Sequence, residues 1–171
     1  MSAIRSIVRV QQDDFDLGLE VKTLRAGDTG VGAVAAFVGT VRDVNDGSGV
    51  STLTLEHYPG MTEAALEDIA AQAHARWRLN ATLIIHRFGE LRPTDQIVMV
   101  GVTSAHRGDA FSACEFIMDF LKTRAPFWKK EQTPQGSRWV DARSTDDDAA
   151  ARWGPVSDQT GSQPSDGQRT R

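Results

Sequence analysis

The 171-residue sequence has a single cysteine, a single tyrosine and only four lysines, and no apolar run long enough to cross a bilayer. One cysteine, Cys114, excludes an intramolecular disulfide and a thiolate metal cluster. The four histidines are scattered rather than set at ligand spacing, so no metal and no bound cofactor are expected. A membrane helix needs roughly 20 consecutive apolar residues. None is present, and the opening MSAIRSIVRV lacks the apolar stretch of a secretion signal, so a cytoplasmic protein is expected. A formal charge of -4 gives no global field for nucleic acid, and any anion site must be local. A glycine-flanked serine elbow and a phosphate-cradling glycine loop with its lysine are also missing, which leaves serine hydrolases and nucleotide triphosphatases without support.

What is present is enough apolar residue, 40% of the chain, to bury one core. One domain is expected over residues 1–153. The Gly, Pro, Ser and Gln of residues 154–171 cannot offset their ordering entropy, so a disordered tail is expected there. Residues 3–10 read as a strand, and Asp16 is placed to cap a short helix running to Leu24. The glycine-bearing, β-branched run at 31–41 suits a buried strand, 42–49 is turn chemistry throughout, and 50–57 returns as a strand. Tyr58-Pro59-Gly60 has the pattern of a type II turn, after which Thr62 is expected to cap a helix reaching Trp77. Ala65, Leu66, Ile69, Ala73 and Trp77 recur there at helical steps.

Residues 82–88 and 96–103 predict two antiparallel strands joined by a short loop at 91–95. A second helix opens over 104–109, carries Phe111, Cys114, Ile117, Met118 and Leu121 as an apolar stripe, and stops at Pro126. A final hairpin is expected over 127–132 and 137–142, followed by the acidic residues 146–148. Strands and helices intermingle without strict alternation, which predicts an α+β class with mainly antiparallel pairing and two principal helices.

The chemistry-bearing residues gather around the second helix. His106 and Arg107 stand at its start, where free N–H groups and the positive dipole end already favour an anion. Lys122 is near its end, where a cation is stabilised by about 0.3–1 kcal/mol for structural reasons alone. Lys122, Lys129 and Lys130 fall within nine positions of a chain with only four lysines. If the hairpin folds beside the helix end the three amines converge, and their mutual repulsion tunes them for proton transfer. Arg42 emerges from a strand into a loop, where it can present a guanidinium to a substrate or pair with Asp43 or Asp46. Arg143 follows the last strand. Cys114, on the apolar stripe, reads as core rather than nucleophile.

Six segments then spell out a resemblance: FVGTVRD at 37–43, LTLEHYPGMTE at 53–63, IHRFGEL at 85–91, VGVTSAHR at 100–107, FIMDFLKTRAPFWKKE at 116–131 and RWVDAR at 138–143. In this order they resemble the molybdopterin synthase catalytic subunit family. The resemblance implies an alpha/beta hammerhead fold, a homodimer, and a heterotetramer with two copies of a small ubiquitin-like sulfur carrier. It implies conversion of cyclic pyranopterin monophosphate to molybdopterin, with sulfur drawn from thiocarboxylates on the carriers' Gly-Gly tails. Carried over by position, it implies substrate binding by Thr40, Val41, Arg42, His106, Arg107 and Arg143, catalysis by Lys122 and Lys129, and Lys130 and Glu131 beside them. Where the family often has arginine, this chain has Lys130, which keeps the charge and loses bidentate geometry. A non-catalytic module that captures the tail of a ubiquitin-like protein is the alternative, since the same basic pocket accepts any terminal carboxylate. An RNA-binding domain using Phe127 and Trp128 is a third reading, disfavoured by the net charge.

Overall fold

A computed structural model describes residues 4–45, 47–140 and 144–154 of the chain. In chain order the elements begin with β1 (Arg5–Gln11), α1 (Leu17–Arg25), β2 (Ala33–Thr40), β3 (Val44–Asn45), β4 (Ser48–Gly49), β5 (Thr52–His57) and α2 (Met61–Arg76). They continue with β6 (Ala81–Arg87), β7 (Gly89–Leu91), β8 (Gln96–Ser104), α3 (Arg107–Arg124), β9 (Phe127–Thr133), β10 (Gly136–Val140) and α4 (Ser144–Ala151). The class is α+β, as the intermingled pattern implies. No helix among the described residues is long and apolar enough to cross a membrane.

The first sheet has the order β1-β6-β8-β2, with β1 and β6 parallel and the other pairs antiparallel. Its two central strands are apolar on both faces because both faces are covered, so the usual polar alternation is lost. Ile84 of β6 joins Val98, Val100 and Val102 of β8 in the larger core, under Leu66, Ile69 and Ala73 of α2 and Ala113, Phe116 and Ile117 of α3. The alternate residues Leu83, Ile85 and Met99 point the other way, onto Phe15 and Leu24. Each such side chain contributes about 1.5–3 kcal/mol on burial. The helix that brings Leu24 down begins as expected, with the Leu19 N–H donating to the Asp16 carboxylate at 2.8 Å.

The second sheet, β10-β9-β5-β7, is antiparallel throughout. Its inner face closes over Leu53, Leu55, Leu91 and Val41, with Phe88 and Ile97 beside them. Among the described residues the main helix contacts all fall on the first sheet, and no helix covers the outer face of the second. Trp128 and Trp139 stand on it about half exposed.

Four expectations need correction. The strand at 31–41 is β2, an edge strand rather than a buried one, with Phe37 40% exposed. Within the turn at 42–49, β3 and β4 pair as a small hairpin around Gly47, whose φ of 75° suits glycine. The cap of α2 is Gly60, with φ of 85°, whose N–H donates to Glu63. Thr62 instead lies inside the helix, and its Oγ1 accepts the Tyr58 N–H at 3.0 Å. Phe111 falls off the buried stripe of α3 and is 66% exposed. The acidic residues 146–148 are part of a helix, α4, that packs on α3. The tail expected after residue 154 lies outside the described residues.

Candidate active site

A groove of about 490 Å³ runs between the edge strand β2 and helix α3. Phe37 lines it from β2, Phe111, Cys114 and Met118 from α3, and Lys122 and Asp146 from the α3 and α4 ends. Its walls are mainly apolar because β2 has no further strand outside it and α3 lies across it. The Lys122 ammonium stands 3.8 Å from the Asp146 carboxylate, and its side chain is 48% exposed, so an anion entering the groove reaches it in competition with Asp146. Cys114 is buried, and desolvation pushes its thiol up to about 11, which keeps it protonated and poorly nucleophilic at neutral pH.

The C-terminal wall of this groove is stapled in place. Arg152 bonds the carboxylates of Glu115 and Asp119 at 2.6 and 2.7 Å, and the Trp153 indole N–H donates to Asp119 at 2.7 Å. The sequence reading missed both the groove floor and Asp146, because an acidic run carries no sign that its helix folds back on α3.

Strand alternation separates the other two lysines. Lys129 pairs with Leu55, which is fully buried, and so starts from the inner face of β9. Lys130 starts from the outer face, where its ammonium lies 5.6 Å from the Trp139 ring centroid. The expected convergence of three amines is therefore corrected: Lys130 belongs to the opposite side of the sheet. Glu131 is also inward and buried, its carboxylate held by the Asn45 amide and by Arg138 at 3.0 Å. That engagement makes it a brace between β9, β10 and the small hairpin.

Next to Lys129 lies a ring cluster that the sequence did not announce. His86 of β6 stacks on Phe127 with centroids 3.7 Å apart and planes 17° from parallel. Its Nδ1–H donates to the Arg87 carbonyl at 2.8 Å. Burial holds its pKa down to about 4, with the charges of Lys129 and His57 adding to the effect, so the ring is neutral at pH 7. His57 lies 4.4 Å from Phe88, and its buried Nδ1 has no hydrogen-bond partner among the described residues.

Thr40 and Arg42 are exposed at the end of β2, while Val41 between them is buried in the second core. Its backbone is clamped on both sides: the Val41 N–H donates to Asp95 O, and its carbonyl accepts from the Thr94 N–H, each at 2.9 Å. Thr94 makes this possible with a φ of 79°, a strained value for a β-branched residue. Val41 thus aims Arg42 rather than offering its own side chain. His106 and Arg107 are exposed at the start of α3, His106 as N-cap. At about 1.5 Å per residue, Arg107 and Lys122 are roughly 22 Å apart along the helix. A single chain does not bring them together. Arg143 lies outside the described residues.

The fold is a mixed α+β one with a groove between β2 and α3, edged by Glu115, Asp119, Lys122 and Asp146 and with Arg42, His106 and Arg107 exposed elsewhere on the surface. Known proteins share this fold. The family model described as "MoaE protein" matches residues 10–124. A molybdopterin synthase catalytic subunit from Ralstonia nicotianae is 67% identical over 151 residues, covering 88% of this chain and 86% of that protein. A solved molybdopterin biosynthesis MoaE protein from Burkholderia ambifaria superimposes with a TM-score of 0.76 at 61% identity, over 88% of this chain and 99% of that one. Molybdopterin synthase from Staphylococcus aureus gives a TM-score of 0.72 at 31% identity, over 78% and 96%. The chain belongs to the MoaE protein family. With that membership goes an enzymatic role in molybdenum cofactor biosynthesis, as a catalytic subunit that makes molybdopterin.

Proposed function

We propose that the chain makes molybdopterin from cyclic pyranopterin monophosphate by transferring two sulfurs from the thiocarboxylated C-terminus of a small ubiquitin-like carrier. The observation that carries this reading is the groove with Lys122 at its rim. A Gly-Gly tail has no side chains to exclude, so it can lie extended along the apolar floor of Phe37, Cys114 and Met118 and bring its terminal anion to Lys122. The thiocarboxylate sulfur bonds a pterin carbon, water then adds to the acyl carbon, and the C–S bond breaks to leave sulfur on the pterin and the carrier as its carboxylate. Lys122 steadies the negative charge that builds on the acyl oxygen and moves the protons that the transfer requires. Lys129 balances negative charge where thiocarboxylate and phosphate must share one pocket, offsetting the repulsion that would hold them apart. Arg42, aimed by its clamped neighbour Val41, contributes a guanidinium for the phosphate, with the exposed Thr40 beside it.

His106 and Arg107 join this site through a second copy of the chain. The roughly 22 Å between the ends of α3 exceeds what one small pterin phosphate spans, whereas a homodimer can present one protomer's helix start to the other's Lys122. Arg143, just beyond β10, is assigned to the same substrate. Two carriers on such a dimer make the heterotetramer. Lys130, on the outer face of β9, adds to the positive charge of that strand without reaching the substrate, and Glu131 braces the strand.

The test mixes the purified chain with a thiocarboxylated carrier and cyclic pyranopterin monophosphate and follows molybdopterin. The unmodified chain is expected to form product, and Lys122→Ala to lose it by two orders of magnitude or more while still binding the carrier. Full activity in Lys122→Ala removes that lysine from the chemistry. Tight carrier binding with no product from the unmodified chain identifies a non-catalytic capture module instead.

A further inference from the structure

Lys122 and Lys129 lie on different elements, and between them the chain turns a corner at Ala125 and Pro126, where α3 ends and β9 begins. That corner is gripped from three elements. The Thr62 hydroxyl of α2 donates to the Pro126 carbonyl at 3.3 Å. His57 of β5 approaches the Phe127 ring at 6.3 Å between centroids. His86 of β6 stacks flat on Phe127 at 3.7 Å. This last contact joins the two sheets, since β6 belongs to the first and β9 to the second.

We propose that His86 is a positioning residue for Lys129, acting through Phe127: the stack fixes the corner between α3 and β9 and with it the separation of the Lys129 and Lys122 amines. Phe127 and Lys129 are two residues apart on one strand and so share a face, which makes the Phe127 ring a rigid base for the lysine. A shift of Phe127 is carried to Lys129 along a strand too stiff to absorb it. His86 suits the task because its ring is itself immobile. It is 4% exposed, and the Nδ1–H bond to Arg87 O fixes the plane that Phe127 meets. Lys129 and His57 face it from β9 and β5, and a second cation here would repel the amine being positioned, so the neutral state kept by burial matters as much as the shape. The ring stack, rather than a polar bond, carries the coupling.

This inference rests on the proposed pairing of Lys122 with Lys129, and the experiment separates the two. Carrier affinity, kcat, KM and thermal midpoint are measured for His86→Ala, His86→Leu, His86→Phe, Lys122→Ala, Lys129→Ala and, as a stability control on the far face of the first sheet, Leu24→Ala. A misplacement of about 1 Å can reduce rate by about a hundredfold. His86→Ala and His86→Leu are expected to lose tenfold to about a hundredfold in kcat with carrier affinity unchanged. His86→Phe, which restores a flat ring, is expected to recover most of it. Leu24→Ala lowers the midpoint and leaves kcat intact while folded. Native kcat in His86→Leu, or an equal fall in Leu24→Ala at matched folded fraction, overturns the positioning role. If His86→Ala does not fold, the Leu and Phe variants decide alone, and equal kcat in those two overturns it. If the lysine variants lose activity while the His86 variants do not, positioning fails and the lysine pairing stands. Full activity in both lysine variants removes the pairing, and the proposal with it.

Discussion

The two sheets divide the work of the molecule. The first is covered on both faces, and its central strands β6 and β8 are almost continuous apolar sequence, so their residues are fixed by packing, while its edge strand β2 meets the groove through Phe37. The second has one face uncovered among the described residues and carries on its four strands Lys129, Lys130 and Glu131, with both exposed tryptophans among them. A sheet that is closed on both sides supplies stability, and one that is closed on a single side can display charge. The seam between them, where His86 meets Phe127, is the place where the stable half can set the geometry of the other.

The sharpest way to break this division between display and stability is to exchange one residue at the groove and one buried in the first sheet. Lys122→Ala, at the groove, is expected to lower turnover by about a hundredfold or more with little change in unfolding midpoint. Ile84→Ala, at the centre of the first sheet and fully buried, is expected to cost about 2–5 kcal/mol in urea unfolding and to leave the turnover of the folded fraction unchanged. A large stability loss in the lysine variant, or a turnover loss in the folded isoleucine variant, dissolves the distinction.

The seam predicts a pH signature of intermediate size. Unfolded, His86 binds its proton near pH 6.5; folded, burial delays that to about 4. Between those values the unfolded state holds more protons than the native state, so stability rises with pH across the window and is lost as pH falls through it. The whole interval corresponds to about 3 kcal/mol. His74, also lowered by burial, acts in the same direction. His86→Phe is expected to flatten most of this slope between pH 7 and 4, measured by urea unfolding; an unchanged slope assigns it to other groups. A smaller change of opposite sign is expected at His57. Replacing that imidazole by phenyl removes a buried atom without a partner and keeps the ring contacts, so His57→Phe is expected to gain about 1 kcal/mol. A loss of stability would show that Nδ1 is satisfied in solution.

How far the sequence reached follows the same division. The first sheet was legible because its strands and helices carry their own periodicity: 82–88 and 96–103 pair antiparallel, and Asp16 caps its helix. The hairpin at β9 and β10 was legible through Thr133-Pro134-Gln135-Gly136. What sequence order cannot give is which face of β9 each lysine takes relative to α3, because that depends on the corner at Pro126 and on pairing with β5. The three lysines therefore looked convergent although Lys130 points away. The edge position of β2 was hidden for a related reason, since an apolar strand flanking a groove has the same composition as a buried one. The helix at 144–151 was masked by its aspartates, which suit a helix start as well as a loop. The residues named for the site by resemblance were positions without geometry; the structure adds that His106 and Arg107 stand far from Lys122 within one chain.

The smallest expected effect tests the bare face itself. Trp139 is 55% exposed and is crossed by Lys130 at 5.6 Å from its centroid. An exposed cation–π contact contributes about 0.5–1 kcal/mol, and threonine, a good strand former, returns part of that through its fit to a pleated surface. Trp139→Thr is therefore expected to change unfolding free energy by about 0.5 kcal/mol or less at low protein concentration. If the face is bare in solution, that small value also holds at high concentration. If destabilisation grows with protein concentration, a second molecule covers Trp139. The second sheet would then be closed on both sides as the first is, with the other side supplied in trans.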